Sequence, residues 1–169
     1  MIENFFNRYL SIRKAKVTDC KFVGKMVGQI NHIVFGSDKI PSNFDSAFQT
    51  MLKEPKQYAI FVAEDKNKDN KIIQCGAAIT TTQLMLMTCK PYLYIQDLVV
   101  DEAARGKGVG SALVQHVIQY CKSNNISFID LVQPPDSDQF HEKRTKFYSD
   151  NGFVIGGRHR LMHLGKSYF

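Results

Sequence analysis

The stretch VVDEAARGKGVGSALV, residues 99–114, decides how this chain folds. An apolar pair is followed by a loop with Gly106, Gly108 and Gly110, and apolar residues then recur at helical spacing. This order predicts a strand, a tight turn and a helix. Glycines remove Cβ atoms, so several backbone N–H groups at the helix N-terminus can converge on one anion. The stretch therefore predicts either a phosphate-binding loop or a turn needed only for close strand-to-helix packing.

The spacing of the loop excludes two common nucleotide-binding motifs. A Walker A loop requires Gly-Lys before Ser or Thr, but Gly110 is followed directly by Ser111. A dinucleotide loop requires G-x-G-x-x-G, whereas the glycines here read G-x-G-x-G. Arg105 and Lys107 place cations beside the loop, and a guanidinium matches phosphate oxygens in a forked geometry. A pyrophosphate is the expected ligand.

The chain before the loop predicts two helices and an antiparallel meander. A short strand in LSIRKAKVTD leads to Thr18 or Asp19 as the N-cap of a helix. One face of that helix is apolar at Phe22, Val23, Met26, Val27, Ile30 and Ile33. SNFDSAFQTMLKE forms a second helix that Pro55 closes. QYAIFVAED, KNKDNK and IIQCGAAITTT form a hairpin, and YLYIQDLVV forms a further strand; QLMLMTCK either extends the third strand or is a loop.

The chain after the loop predicts a strand, a helix and a closing β-segment. KSNN ends the helix that follows the loop, ISFIDLVQ is a strand, and FHEKRTKFYSDNG is a helix with Gly152 at its end. FVIGGRHRLMHLGK forms one or two closing strands. The strand–helix–strand unit at the loop requires a parallel pair beside the meander. We expect one domain over residues 1–169, with residues 1–10 packing on it or on a second copy.

Composition narrows the class of protein. Lys and Arg (22) exceed Asp and Glu (16), a net charge of +6 that favours anionic partners or simply a solvated basic surface. No apolar run approaches the roughly 20 residues of a membrane span, and the start MIENFFNRYL does not read as a signal peptide, so a cytoplasmic protein is expected. The cysteines lack ligand spacing, so neither metal nor disulfide is expected at Cys20, Cys75, Cys89 and Cys121.

Two motifs resemble those of a known family. YIQDLVVDEAARGKGVGSALV is similar to the acyl-CoA-binding motif of the GNAT superfamily of N-acetyltransferases, here Arg105, Gly108 and Gly110. FYSDNGF, residues 147–153, resembles a second motif of the family, an aromatic-tyrosine pair on a helix followed by Gly-Phe. The order of helices and strands over residues 10–165 is also similar to that of the family. The resemblance implies the GNAT fold, of mixed α/β (α+β) class. Its sheet would be mixed and mostly antiparallel, of six to seven strands, with a parallel pair splayed at the CoA site and about four helices.

The resemblance also implies a set of site residues. The pantetheine arm would lie along Leu98, Val99 and Val100, where a backbone N–H would stabilise the oxyanion of acyl transfer. The pyrophosphate would be wrapped by Arg105, Gly106, Lys107, Gly108, Val109, Gly110 and Ser111. Tyr148 is the candidate acid, because a phenol can donate a proton to the leaving thiolate.

Several residues are candidates for the general base that takes the proton from the amine. Some relatives carry Glu-Asp on the strand before the loop, where this chain has Gln96 and Asp97. Strand alternation predicts that these two side chains lie on opposite faces, so Asp97 would act through water or be a structural carboxylate. His159 and His163 are other candidate bases. His141 stands where many relatives carry an Asn seven residues before the tyrosine, which puts that cofactor contact in question.

The sequence thus predicts an acetyl-CoA-dependent N-acetyltransferase that attacks the thioester directly with a primary amine of a small molecule. A protein lysine or N-terminus is the alternative acceptor. A non-catalytic acyl-CoA-binding module is a second class, suggested by the missing glutamate. HEKRTKFY and the net charge suggest nucleic-acid binding as a third class. It is the least favoured of the three, so no nucleic-acid partner is expected. A homodimer and the identity of the amine stay open.

Overall fold

A computed structural model describes residues 9–133 and 139–156. They belong to two compact units, Met1–Leu131 and Val132–Phe169, each described by itself. The predicted N-terminal extension, apart from its last two residues, lies outside the described residues, as do His159 and His163.

The first unit is built on one mixed sheet. Its strands are β1 (Leu10–Lys14), β2 (Tyr58–Lys66), β3 (Ile72–Met85), β4 (Lys90–Val100) and β5 (Ile129–Leu131), in the spatial order β1-β2-β3-β4-β5. β1 to β4 pair antiparallel, and β5 joins β4 in parallel. The predicted meander, hairpin and parallel pair are therefore confirmed. The described residues form five strands rather than six to seven; residues 153–156 lie outside any strand, and the rest of the predicted closing segment lies outside the described residues.

Helices cover both faces of the sheet. The first unit contains α1 (Cys20–Phe35), α2 (Phe44–Lys53) and α3 (Val109–Ser123), and the second contains α4 (His141–Asp150), as the prediction of about four helices requires. Side chains of α1 and α2 pack with one face of the sheet in a core of Val23, Phe48, Ile60, Val62 and Ile79. On the other face, the Phe61 ring lies 4.9 Å from His116 and 5.3 Å from Tyr120, both on α3. The sheet is thus the central layer of three.

Some local details differ from the predictions. The segment QLMLMTCK divides, because β3 continues to Met85 and a turn follows before β4 begins at Lys90. Ile33 does not join the buried face of α1, since it is 45% exposed near the end of the helix. The predicted strand ISFIDLVQ retains three residues in β5. No helix among the described residues is long and apolar enough to cross a membrane.

Asp19 occupies the predicted N-cap position of α1, but its carboxylate does not cap the helix. Its two oxygens accept hydrogen bonds from Arg13 Nη1 at 2.6 Å and Nη2 at 3.0 Å, and Oδ2 also accepts the Lys16 N–H at 2.6 Å. Arg13 in turn donates to Glu64 Oε1 on β2. This buried carboxylate therefore ties the start of α1 to the sheet.

Candidate active site

A β-bulge lies in β4 immediately before the predicted pantetheine-binding segment. Asp97 pairs with Ile79 of β3 and Ile95 pairs with Thr80, so Gln96 has no partner across the pair. Gln96 Nε2 donates to the hydroxyl of Thr81, which shares a sheet face with Ile79. The extra residue therefore brings Gln96 and Asp97 to the same face, the one covered by α1 and α2. The prediction that they lie on opposite faces is wrong because strict alternation ends at a bulge.

Asp97 lies half-buried on that face. Burial raises the pKa of its carboxyl group above the usual value, because the ionised form loses hydration. A carboxylate with a raised pKa accepts a proton more readily than an ordinary surface aspartate. The geometry therefore makes Asp97 a better candidate base than its position in a regular strand indicated.

The parallel strands part at the same place. Pairing between β4 and β5 ends at Ile95 with Leu131, whereas β4 continues to Val100. The Asp101 N–H donates to the Cys75 carbonyl at 3.0 Å, on the β3 side. Successive residues of a strand direct their backbone N–H and C=O groups to opposite edges. The backbone groups of Leu98 and Val100 therefore point away from β3, to the side of β4 where pairing with β5 has ended. Val99 instead pairs toward β3, and its side chain packs with Met26 and Ala77.

The glycine loop, residues 101–108, connects this edge to α3. It contains a short 3₁₀ turn, Glu102–Ala104, and then Gly106 and Gly108 at φ values of +73° and +79°. These left-handed conformations favour glycine. The first hydrogen bond of α3 runs from Ala112 N–H to Gly108 C=O at 3.0 Å, so the amides of its first turn point out of the helix N-terminus. A helix N-terminus of this kind can bind an anionic group such as a phosphate. Val109, whose side chain is buried, can offer such a group only a backbone amide.

The two cations predicted for phosphate binding contact the loop itself. Arg105 Nε donates to the Val100 carbonyl at 3.2 Å, and its Nη1 lies 3.4 Å from Glu102 Oε1. Lys107 Nζ donates to the Ala103 carbonyl at 2.7 Å. The contact with Val100 connects the loop to the end of β4, and the other two contacts lie within the loop. Phosphate binding by the two side chains stays a prediction.

One contact at the loop was missed by sequence reasoning. Lys25 Nζ on α1 lies 2.5 Å from Asp101 Oδ2, while Asp101 Oδ1 accepts the Ala103 N–H at 3.2 Å. The hydrogen bond from Lys25 lowers the pKa of the Asp101 carboxyl group. The two residues are 76 positions apart, and neither belongs to a local motif that would have indicated the pair.

Tyr148 lies on α4 in the second unit. Its ring makes edge-to-face contacts with Phe147 at 5.1 Å and Phe153 at 5.5 Å, measured between centroids. The Phe153 N–H donates to the Tyr148 carbonyl at 3.0 Å after Gly152 ends the helix at φ +89°. The aromatic-tyrosine pair and the Gly-Phe that follows are thus one packed unit, and the role of Tyr148 as an acid stays a prediction. His141 begins α4.

Comparison with known proteins identifies the family. The model of the acetyltransferase (GNAT) family matches residues 27–153. This chain belongs to the GNAT family. Among curated relatives, it is 28% identical to glucosamine 6-phosphate N-acetyltransferase of Arabidopsis thaliana over 134 residues, covering 78% of this chain and 86% of the relative. It is 22% identical to glucosamine 6-phosphate N-acetyltransferase 1 of Oryza sativa, covering 76% and 72%.

Solved structures confirm the predicted GNAT fold. The glucosamine-6-phosphate N-acetyltransferase of Arabidopsis thaliana superposes with a TM-score of 0.70 at 21% identity, over 93% of this chain and 99% of that one. A putative acetyltransferase from Agrobacterium tumefaciens has a TM-score of 0.71 at 23% identity, over 90% of this chain and 99% of that one. A transcriptional regulator from Bacillus halodurans gives 0.73 at 24% identity, over 92% and 100%. The family match and the curated relatives also confirm the predicted enzyme class, an N-acetyltransferase.

Proposed function

We propose that this GNAT protein transfers the acetyl group of acetyl-CoA to a primary amine of a small molecule, by direct attack in a ternary complex. The observation that carries the proposal is the bulge in β4, which joins a polar pair on one sheet face to a backbone edge that β5 does not pair with and then to the glycine loop. In the proposal the CoA diphosphate binds the amides of residues 105–111, at the N-terminus of α3. The pantetheine arm follows the outward backbone groups of Leu98 and Val100, while Val99 supports the strand from the core.

The proposed reaction forms a bond between the amine nitrogen and the acetyl carbon and breaks the thioester C–S bond. Asp97 removes the proton of the amine, directly or through water, because a free amine is the nucleophile. A backbone N–H of β4, on the edge beyond the last pair with β5, stabilises the oxyanion. Tyr148 donates a proton or hydrogen bond to the leaving thiolate.

An amino-sugar phosphate is the first acceptor to test. The curated relatives are named glucosamine 6-phosphate N-acetyltransferases. The net charge of +6 on this chain also favours the approach of an anionic acceptor over a polyamine. Some relatives carry Glu-Asp where this chain has Gln96 and Asp97. This difference is compatible with the same acceptor class, because the bulge places the Asp97 carboxylate on the same sheet face as Gln96. A protein lysine or N-terminus is the alternative acceptor.

The test is a thiol-release assay with acetyl-CoA and a panel of amines: glucosamine with and without a 6-phosphate, amino acids, a polyamine and a lysine-containing peptide. The proposal expects turnover on a small amine, with the phosphorylated sugar preferred. Turnover on the peptide alone would support the protein acceptor instead. CoA binding by calorimetry with no thiol release across the panel would support a non-catalytic acyl-CoA-binding module and contradict the proposed reaction.

A further inference from the structure

An ion pair joins the middle of α1 to the first residue of the glycine loop. Lys25 Nζ lies 2.5 Å from Asp101 Oδ2, and the two side chains are 60% and 19% exposed. α1 packs through Met26, the next residue, against Ala77 and Val99 in the core. Lys25 is therefore attached to a helix that is anchored on the sheet, whereas Asp101 begins the segment that leaves it.

Asp101 is the corner at which β4 becomes the loop. Its N–H donates to the Cys75 carbonyl at 3.0 Å, and its own carbonyl accepts the Ala104 N–H at 2.8 Å. Its carboxylate uses one oxygen for the Ala103 N–H and the other for Lys25. The same side chain thus sets the first turn of the loop and connects that turn to α1.

We propose that Lys25 is a positioning residue for the donor: through Asp101 it holds the glycine loop in the conformation that binds the diphosphate of CoA. This inference rests on the proposed use of the loop as the CoA site. Lys25 does not touch the donor in this account. It fixes the carboxylate that orients the 3₁₀ turn Glu102–Ala104, and the loop glycines and the first amides of α3 follow from that turn.

A small loss of stability with a clear loss of donor affinity is the expected signature. Exposed ion pairs contribute little to folding, and Lys25 is more than half exposed. A converging set of amides, in contrast, depends on the direction of each peptide group. Removing the lysine would therefore loosen the start of the loop without unfolding the sheet.

The alternative is that Lys25 acts only as a nearby cation that attracts phosphate. The two explanations predict opposite changes in CoA affinity for Asp101→Asn. This substitution keeps a side-chain oxygen for the Ala103 N–H but removes the charge that pairs with Lys25. If Lys25 works through Asp101, this variant binds CoA more weakly. If only charge attraction matters, the loss of a negative group near the loop strengthens CoA binding.

The experiment measures the Kd for CoA by calorimetry and the steady-state KM and kcat for acetyl-CoA with an active amine. Lys25→Met is expected to raise Kd and KM about threefold, the effect of an exposed ion pair, while kcat changes less than about twofold. Lys25→Arg is expected to restore both constants. Lys21→Met, at another exposed lysine of α1, is the matched control and is expected to bind like the unaltered protein.

The double variant Lys25→Met/Asp101→Asn completes a double-mutant cycle. It is expected to bind CoA no more weakly than the weaker-binding single variant. Tighter CoA binding by Asp101→Asn, additive losses in the double variant, or an unchanged Kd in Lys25→Met would each overturn the inference. Thermal unfolding of each variant verifies that the fold is retained. If the unaltered protein does not bind CoA, the proposed function fails; if it binds CoA and these variants bind equally well, only the inference about Lys25 fails.

Discussion

Gln96 donates a hydrogen bond to the hydroxyl of Thr81 across a β-bulge, and this contact places it on the same sheet face as Asp97. The bulge has two effects at once. It gathers polar side chains on the face covered by α1 and α2, and it lies where β5 stops pairing with β4. A single extra residue in one strand therefore connects the candidate base to the candidate donor edge.

Asp97→Asn is expected to reduce kcat about a hundredfold, the usual effect of losing a positioned base. It is also expected to raise thermal stability at neutral pH. Burial raises the pKa of Asp97, so the cost of ionising it is absent below the usual carboxyl range and develops as the pH rises through the raised pKa. For the same reason, kcat/KM of the unaltered enzyme should fall as the pH drops through that pKa.

Thiol release at several pH values and thermal unfolding of the same samples measure both effects. Gln96→Ala is the control and should keep kcat within a few-fold, since an amide cannot take the proton. A variant Asp97→Asn that turns over normally but unfolds at a lower temperature would identify Asp97 as a structural carboxylate.

Tyr148→Phe is expected to lower kcat about a hundredfold with acetyl-CoA, because the leaving thiolate loses its proton donor. The ring contacts with Phe147 and Phe153 do not use the hydroxyl, so the variant keeps them. CoA release under single-turnover conditions measures the chemical step. Tyr120→Phe on α3, another tyrosine in edge-to-face contact with a phenylalanine, is the control. Normal turnover by Tyr148→Phe would remove the acid role.

Gly108→Ala is expected to destabilise the protein by about 1 kcal/mol, because a residue with a Cβ is strained at φ +79°. Among the described residues, no atom beyond Gly108 and its chain neighbours lies within 4 Å of the position that this Cβ would occupy, so the strain comes from the backbone rather than from a clash. Gly108→Asn should cost less, since asparagine tolerates the left-handed region. Denaturant unfolding compares the two variants. Equal stability of the alanine and asparagine variants would contradict the left-handed turn.

Asp19→Asn is expected to cost about 3 kcal/mol at neutral pH, since Arg13 would lose its buried partner. The hydrogen bond from Arg13 holds the pKa of Asp19 below its usual value. The stabilisation is therefore complete above the usual carboxyl pKa and is lost as the pH falls through the lowered one. The free energy of unfolding should change much less between pH 2 and 7 in this variant than in the control Glu54→Gln, which replaces an exposed carboxylate. Identical pH profiles in both variants would refute this role.

Helices, hairpin and the strand–loop–helix unit could be predicted because their signals are local. Apolar spacing marked Val23 and Met26 as the buried face of α1, and the glycines marked the turn into α3. The N-cap of α1 was predicted at Thr18 or Asp19; Asp19 occupies it, but without the predicted capping hydrogen bond. The Asp19 carboxylate bonds Arg13 and the Lys16 N–H, and the Arg13 contact depends on how β1 packs beside α1.

The sequence by itself determined the family-typical motif: Arg105, Gly108 and Gly110 at their spacing, placed after an apolar strand and before a helix. Those features depend on neighbouring residues, since turn geometry and helix periodicity are local. Only the tertiary structure decided that Gln96 and Asp97 share a face and that Lys25 reaches Asp101. The first depends on strand register against β3, and the second joins residues 76 positions apart. Neither leaves a periodic signal in the chain.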